Sequence, residues 1–84
     1  MADPTPTTTL ADLSPGERAA VTRIREELDE GERRRLLELG LFPRTVVEAV
    51  MDSPLGDPTA YRVRDMTVAL RRSQARWIEV QHVG

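Results

Sequence analysis

Leu28-Asp-Glu-Gly-Glu-Arg-Arg-Arg-Leu-Leu-Glu-Leu-Gly-Leu-Phe-Pro-Arg-Thr-Val-Val-Glu-Ala-Val50 holds a helix start, a helix stop and the strand that leaves it, and the remaining chain is read outward from it. Asp29 is placed to accept from the first free N–H groups of a helix, and Glu32, three residues on, is where a capping-box partner reaches back. Acidic residues there also suit the positive end of the helix dipole. Leu36 and Leu39 fall on one face and Leu41 continues it, while Arg33, Arg34, Arg35 and Glu38 spread over the rest, predicting one buried stripe and a solvated back. Gly40 stands where the last carbonyls call for a positive φ, and Pro43 follows three residues later. About three turns of helix are too few to stand alone in water, so this one must pack on something. The flanking sequence supplies strands.

Outward toward the N-terminus, Ala19–Arg25 alternates, with Val21, Arg23 and Arg25 on one side and Ala20, Thr22 and Ile24 on the other. Before it, Ser14-Pro15-Gly16-Glu17 is turn chemistry. Leu10 and Leu13 bracket a short extended anchor, and Met1–Thr9, rich in proline and threonine, has little to bury and reads as a disordered leader. Residues 10–84 are then one domain.

Toward the C-terminus, Thr45–Met51 is dense in β-branched residues and predicts a second strand. Pro54-Leu55-Gly56-Asp57-Pro58 must be a loop, since two prolines and a glycine do not share a central strand. Thr59–Arg64 is a third strand, Asp65-Met66 a turn and Thr67–Arg71 a fourth strand. Ser73–Arg76 suits a single helical turn capped by Ser73. Trp77–Val80 is a fifth strand, with Ile78 and Val80 inward and Trp77 and Glu79 outward.

The expected fold is therefore mainly β with one short α-helix, a small barrel of about five strands, because closure removes edges that invite aggregation. A chain of 84 residues buries only about 60% of its unfolded surface, so this inventory uses up the core. The absence of cysteine excludes a disulfide framework and thiolate metal sites. No basic-then-apolar leader and no apolar run near the roughly 20 residues of a membrane span are found, which points to the cytoplasm with no direct membrane insertion. Every basic residue is an arginine interspersed with acids, and the net charge is -2. That is no footprint for nucleic acid.

Three groups of residues, taken with the opening Leu13, Gly16 and Val21–Ile24, resemble the FeoA family of ferrous iron transport proteins. They are Leu36-Leu37-Glu38-Leu39-Gly40-Leu41-Phe42-Pro43, Pro54-Leu55-Gly56-Asp57-Pro58, and Val68-Ala69-Leu70-Arg71-Arg72 with Ile78-Glu79-Val80. The resemblance implies an SH3-like β-barrel that works beside a FeoB-type GTPase-linked ferrous iron permease as an accessory or regulator. On it, Leu36, Leu39, Gly40, Leu41, Pro43 and Gly56 make up the structural motif. Arg44 stands where the family usually has glycine, so either this turn differs or Arg44 accepts a strained φ. Asp65 stands where a turn glycine is common, and aspartate tolerates a left-handed conformation better than most.

No converging acid, base or nucleophile points to an enzyme. His82, the lone histidine, would need carboxylates from elsewhere to hold Fe2+ or another divalent metal, and no HExxH or CxxC spacing accompanies it. Glu26-Glu27 with Asp29-Glu30 reads either as a hard-cation site or as a solvated loop and cap. No cofactor is called for. Protein binding has better candidates. With Leu41 inward, Phe42 points out to a partner or folds back over the barrel mouth. Trp77, on the outward register, is of the type most enriched at binding hot spots, or else packs on the turn before it. Leu37 borders the buried stripe, and Arg33 or Arg34 would supply a charged rim.

The expected function is a cytosolic accessory protein that binds the cytosolic GTPase part of the permease. Its rivals are a divalent-metal-responsive regulatory domain resting on His82 and a generic SH3-like adaptor for proline-rich peptides, for which one each of Phe, Tyr and Trp is a sparse groove.

Overall fold

The computed structural model describes residues 8–52, 54 and 56–83. Helix α1 (Glu30–Glu38) forms as read: the Asp29 carboxylate accepts from the N–H groups of Gly31 at 3.0 Å and Glu32 at 3.3 Å. No return bond from the Glu32 side chain is made among the described residues, so only half of the capping box forms. At the other end Gly40 has φ +96°, its N–H donates to the Leu37 carbonyl, and the Leu41 N–H donates back to Leu36. Those paired bonds are a Schellman stop, which a residue in the left-handed region makes possible. Leu36 and Leu41, joined by that bond, are both buried, while Leu39 is half-buried.

Five antiparallel strands, β1 (Arg18–Ile24), β2 (Val46–Asp52), β3 (Thr59–Val63), β4 (Met66–Leu70) and β5 (Ile78–His82), make one sheet in the order β4-β3-β2-β1-β5. A single helical turn, α2 (Arg72–Ala75), carries the chain from edge strand β4 to edge strand β5. The sheet is strongly curled. The Tyr61 hydroxyl on β3 donates to the Leu10 carbonyl at 3.0 Å, although Leu10 lies only two residues beyond Thr8, whose carbonyl accepts from the Val80 N–H on β5. In a flat sheet β3 and β5 would lie three spacings of about 4.8 Å apart, too far for one phenol to bridge.

Two bulges permit the curl. Across β1 and β5, Val21 faces Val80 but Arg23 faces Glu79, leaving Thr22 as the extra residue; across β2 and β3, Ala49 faces Tyr61 and Met51 faces Ala60, leaving Val50. An extra residue bends its strand and resets which side chains point inward. Ile24, expected across the strand from Val21, is therefore buried on the same side, and Thr22 turns its hydroxyl to the Glu79 carbonyl at 3.0 Å. Val21, Val47, Tyr61, Val63, Ile78 and Leu10 are the largest side chains of the resulting core, with Leu41 filling the end under α1.

Other departures from the expected elements have local causes. Leu10–Asp12 is a 3-10 turn rather than an extended anchor, because the Asp12 carboxylate accepts from the Thr9 N–H at 2.8 Å and closes it. Leu10 and Leu13 are both buried there as expected. Thr8 and Thr9, placed in the leader by composition, adjoin β5 through the Val80 N–H and a Thr9–Glu79 bridge; residues 1–7 lie outside the described residues, as does Leu55 of the proline-bounded loop. The β3–β4 turn sits at Arg64-Asp65, one residue earlier than read, and the positive φ falls on Arg64 at +56° instead of on Asp65. Arg71, not Ser73, caps α2: Gln74 accepts from the Arg71 N–H and Asp57 from the Arg72 N–H. One of these acceptors, Gln74, belongs to the turn itself, and the other, Asp57, reaches it from the loop before β3.

Candidate functional site

The corner after α1 presents an exposed aromatic side chain. Leu41 enters the core and Phe42, next in sequence, is left 46% exposed. Its backbone is pinned: the Thr45 N–H donates to the Phe42 carbonyl at 3.0 Å, and the Arg44 N–H donates to Val21 on β1 at 2.7 Å. Arg44 has φ +77°, so of the two alternatives open for this turn the strained one is realised. The glycine-like conformation is kept and a non-glycine residue bears a cost of order 1 kcal/mol.

Phe42 and Pro43, with Arg44, Thr45, Val46 and Arg64, line an open concavity of about 500 Å³. On the other side of Pro43, Leu37 lines a second of about 250 Å³ with Arg23, Ile24, Glu26 and Arg33. Phe42, Pro43 and Leu37 are thus brought together on one rigid corner. Trp77 belongs elsewhere: it is half-buried beside a third concavity, with the guanidiniums of Arg25 and Arg76 at 5.6 and 5.8 Å from its ring. That cation–π packing is an internal use of the indole.

Of the arginine run, only Arg33 has internal partners among the described residues. It donates from Nη1 to the Ile24 carbonyl at 3.1 Å and from Nη2 to the Arg25 carbonyl, tying the helix to the end of β1. Arg33 is a clamp rather than a free rim charge. Arg34 remains exposed, and no ion pair of the run with Glu30 or Glu38 is made among the described residues. The neighbouring cations are also engaged: Arg23 Nε bonds Glu79 Oε1 at 3.0 Å, and Arg25 Nε lies 3.6 Å from Glu79 and 3.7 Å from Glu27. The bond to Glu79 holds the Arg23 pKa above its ordinary value.

His82 is half-exposed with Nε2 at 3.7 Å from Glu17 Oε2, and no group of three or more His, Cys, Asp or Glu side chains is arranged to hold a metal among the described residues. One carboxylate and one imidazole do not make a coordination shell. The acidic run resolves likewise: Asp29 caps α1 and Glu27 faces Arg25. No helix is long and apolar enough to cross a membrane.

Residues that the sequence reading passed over stand beside Phe42. Val46 is 39% exposed, and Arg18, Arg62 and Arg64 surround it with Glu48. Their only signal was Arg44 in a turn position suited to glycine, since the rest meet only once strand register is known.

The FeoA domain model matches residues 8–82 of this chain. A curated relative, the Fe(2+) transport protein A/Fe(2+) transporter FeoB fusion protein of Porphyromonas gingivalis, is 37% identical over an alignment of 78 residues that covers 89% of this chain and 9% of the fusion protein. The chain therefore spans less than a tenth of that relative's length. Among solved structures, FeoA from Chlorobium tepidum superposes with a TM-score of 0.83 at 32% identity, covering 92% of this chain and 71% of that one. FeoA from Stenotrophomonas maltophilia, complexed with zinc and described as a prokaryotic SH3 domain protein, gives 0.79 at 30% identity over 88% and 89%. A curled five-stranded sheet, the Leu36–Pro43 corner and a match over nearly the whole chain agree: this chain belongs to the FeoA domain family, SH3-like domains associated with ferrous iron transport.

Proposed function

We propose that this domain is a cytoplasmic accessory protein of ferrous iron uptake that docks on the cytosolic, GTPase-bearing part of a FeoB-type permease. The observation that carries this reading is the Porphyromonas gingivalis relative, in which a homologous domain and FeoB share one chain. Covalent linkage raises the effective concentration of two modules that meet. The surface that supports docking is the Phe42 corner, where an exposed aromatic is held on a short, doubly hydrogen-bonded turn between two concavities. A rigid aromatic loses little entropy on binding, which is why such residues dominate interface energetics. Ferrous iron is cargo of the partner on this reading and needs no ligand set here.

The test is an NMR titration of the labelled domain with the cytosolic part of the permease, with and without guanine nucleotide. Shifts should gather around Phe42, Leu37, Arg34 and Arg44, and Phe42→Ala should weaken docking by about 30-fold, a hot-spot loss, with the fold intact. An unchanged spectrum at saturating partner would overturn the reading.

A further inference from the structure

Register places three charged residues in one row across the sheet: Arg18 on β1 faces Glu48 on β2, and Glu48 faces Arg62 on β3. Together they line a shallow concavity of about 200 Å³ with Val46 and Arg64. Val46 and Arg64 also border the larger hollow, where Arg44 joins them. Four exposed guanidiniums thus surround one exposed valine and a single half-buried carboxylate. None of the four forms an ion pair among the described residues. A chain of net charge -2 has concentrated an excess of positive charge over the single Glu48 carboxylate in this region, and two of the four, Arg44 and Arg64, are non-glycine residues at positive φ.

We infer that this face binds an acidic segment of a protein partner that carries an apolar side chain, with carboxylates on Arg18, Arg44, Arg62 and Arg64 and the apolar group on Val46. Planar guanidiniums pair with carboxylates through two hydrogen bonds and match an extended acidic segment. Glu48 within the array disfavours a uniformly charged polyanion such as nucleic acid, and exposed Val46 gives a phosphate backbone nothing to desolvate against. The inference deepens the permease reading and rests on it for the partner's identity, since the Phe42 corner borders the same hollow.

The experiment titrates the labelled domain with a short probe peptide of alternating glutamate and leucine. A lysine–leucine peptide and a short single-stranded DNA serve as comparators. The glutamate–leucine probe should shift Arg18, Val46, Arg62 and Arg64, with affinity falling as salt rises. The double substitution R62E/R64E should weaken it at least about tenfold with the folded spectrum retained, and Glu48→Gln should tighten it about threefold, the opposite sign expected for removing a like charge from the site. Equal binding of the lysine–leucine peptide, tighter binding of the DNA, shifts confined to another face, or self-association through a second copy's Glu26–Glu30 loop would each overturn the inference. The cytosolic part of the permease is titrated in parallel. Permease docking that survives R62E/R64E, with probe binding also unchanged, removes this inference and leaves the proposed function. Probe binding without any permease docking removes the proposed function and leaves this face as an acidic-segment site.

Discussion

Two groups of arginines divide the surface of this domain. Around β5 and the start of α1, Arg23, Arg25, Arg33 and Arg76 each have an internal partner: a carboxylate, a carbonyl pair or the face of Trp77. Around β2 and β3, Arg18, Arg44, Arg62 and Arg64 border open concavities and form no ion pair among the described residues. The side chain is the same in both groups and so is its charge. What differs is engagement: Glu79 bonds Arg23 across its strand pair, whereas Glu48, which faces both Arg18 and Arg62, forms an ion pair with neither among the described residues, so the first group ties elements together and the second keeps its guanidiniums open.

The sharpest way to break that division is to compare the engaged group with the core it supports. Leu41, fully buried beneath the helix stop, sets the scale: Leu41→Ala should cost about 2–5 kcal/mol in chemical denaturation, the range for emptying a well-packed site. Next come adjacent arginines of opposite assignment. Arg33→Met should cost about 1–3 kcal/mol, because two carbonyls lose a charged donor, whereas Arg34→Met should stay within about 0.5 kcal/mol. Equal effects at both positions would mean that Arg33 is no clamp. Asp29→Ala should cost about 1 kcal/mol by uncapping α1, with no effect on partner docking.

The smallest stability effect tests the free group. Arg44→Gly relieves the left-handed strain but gains unfolded-state entropy, so a net change between about 0 and +1 kcal/mol of stabilisation is expected. The same substitution should weaken docking measured by titration. A variant that is destabilised, or one that docks as before, would show that Arg44 serves the fold rather than a partner.

Much of the site corner was legible before the structure. Asp29, Leu36, Gly40 and Leu41 act through neighbours within five residues, and Phe42 stands exposed beside buried Leu41 as the corner reading allowed. The fold class followed from turn residues and β-branched runs in the same way. Trp77 was legible only in part: Arg76, of the turn before it, lies against its ring as one of the two readings had it, but Trp77 precedes β5 instead of lying on its outer face, and Arg25 reaches the ring from a distant part of the chain. The internal bonds of Arg33 were not legible either, because a run of three arginines on a helix says nothing of the strand-end carbonyls that one of them meets.

Local chemistry therefore set where the helix starts and stops, where the turns lie and which stretches become strands, since caps, positive φ and proline act over a few bonds. Tertiary structure alone decided the bulges at Thr22 and Val50, the curl that lets Tyr61 reach Leu10, and the meeting of Arg18, Glu48 and Arg62 in one row. Those depend on register between strands distant in sequence, and register is settled by how the whole core packs rather than by any residue's own preference.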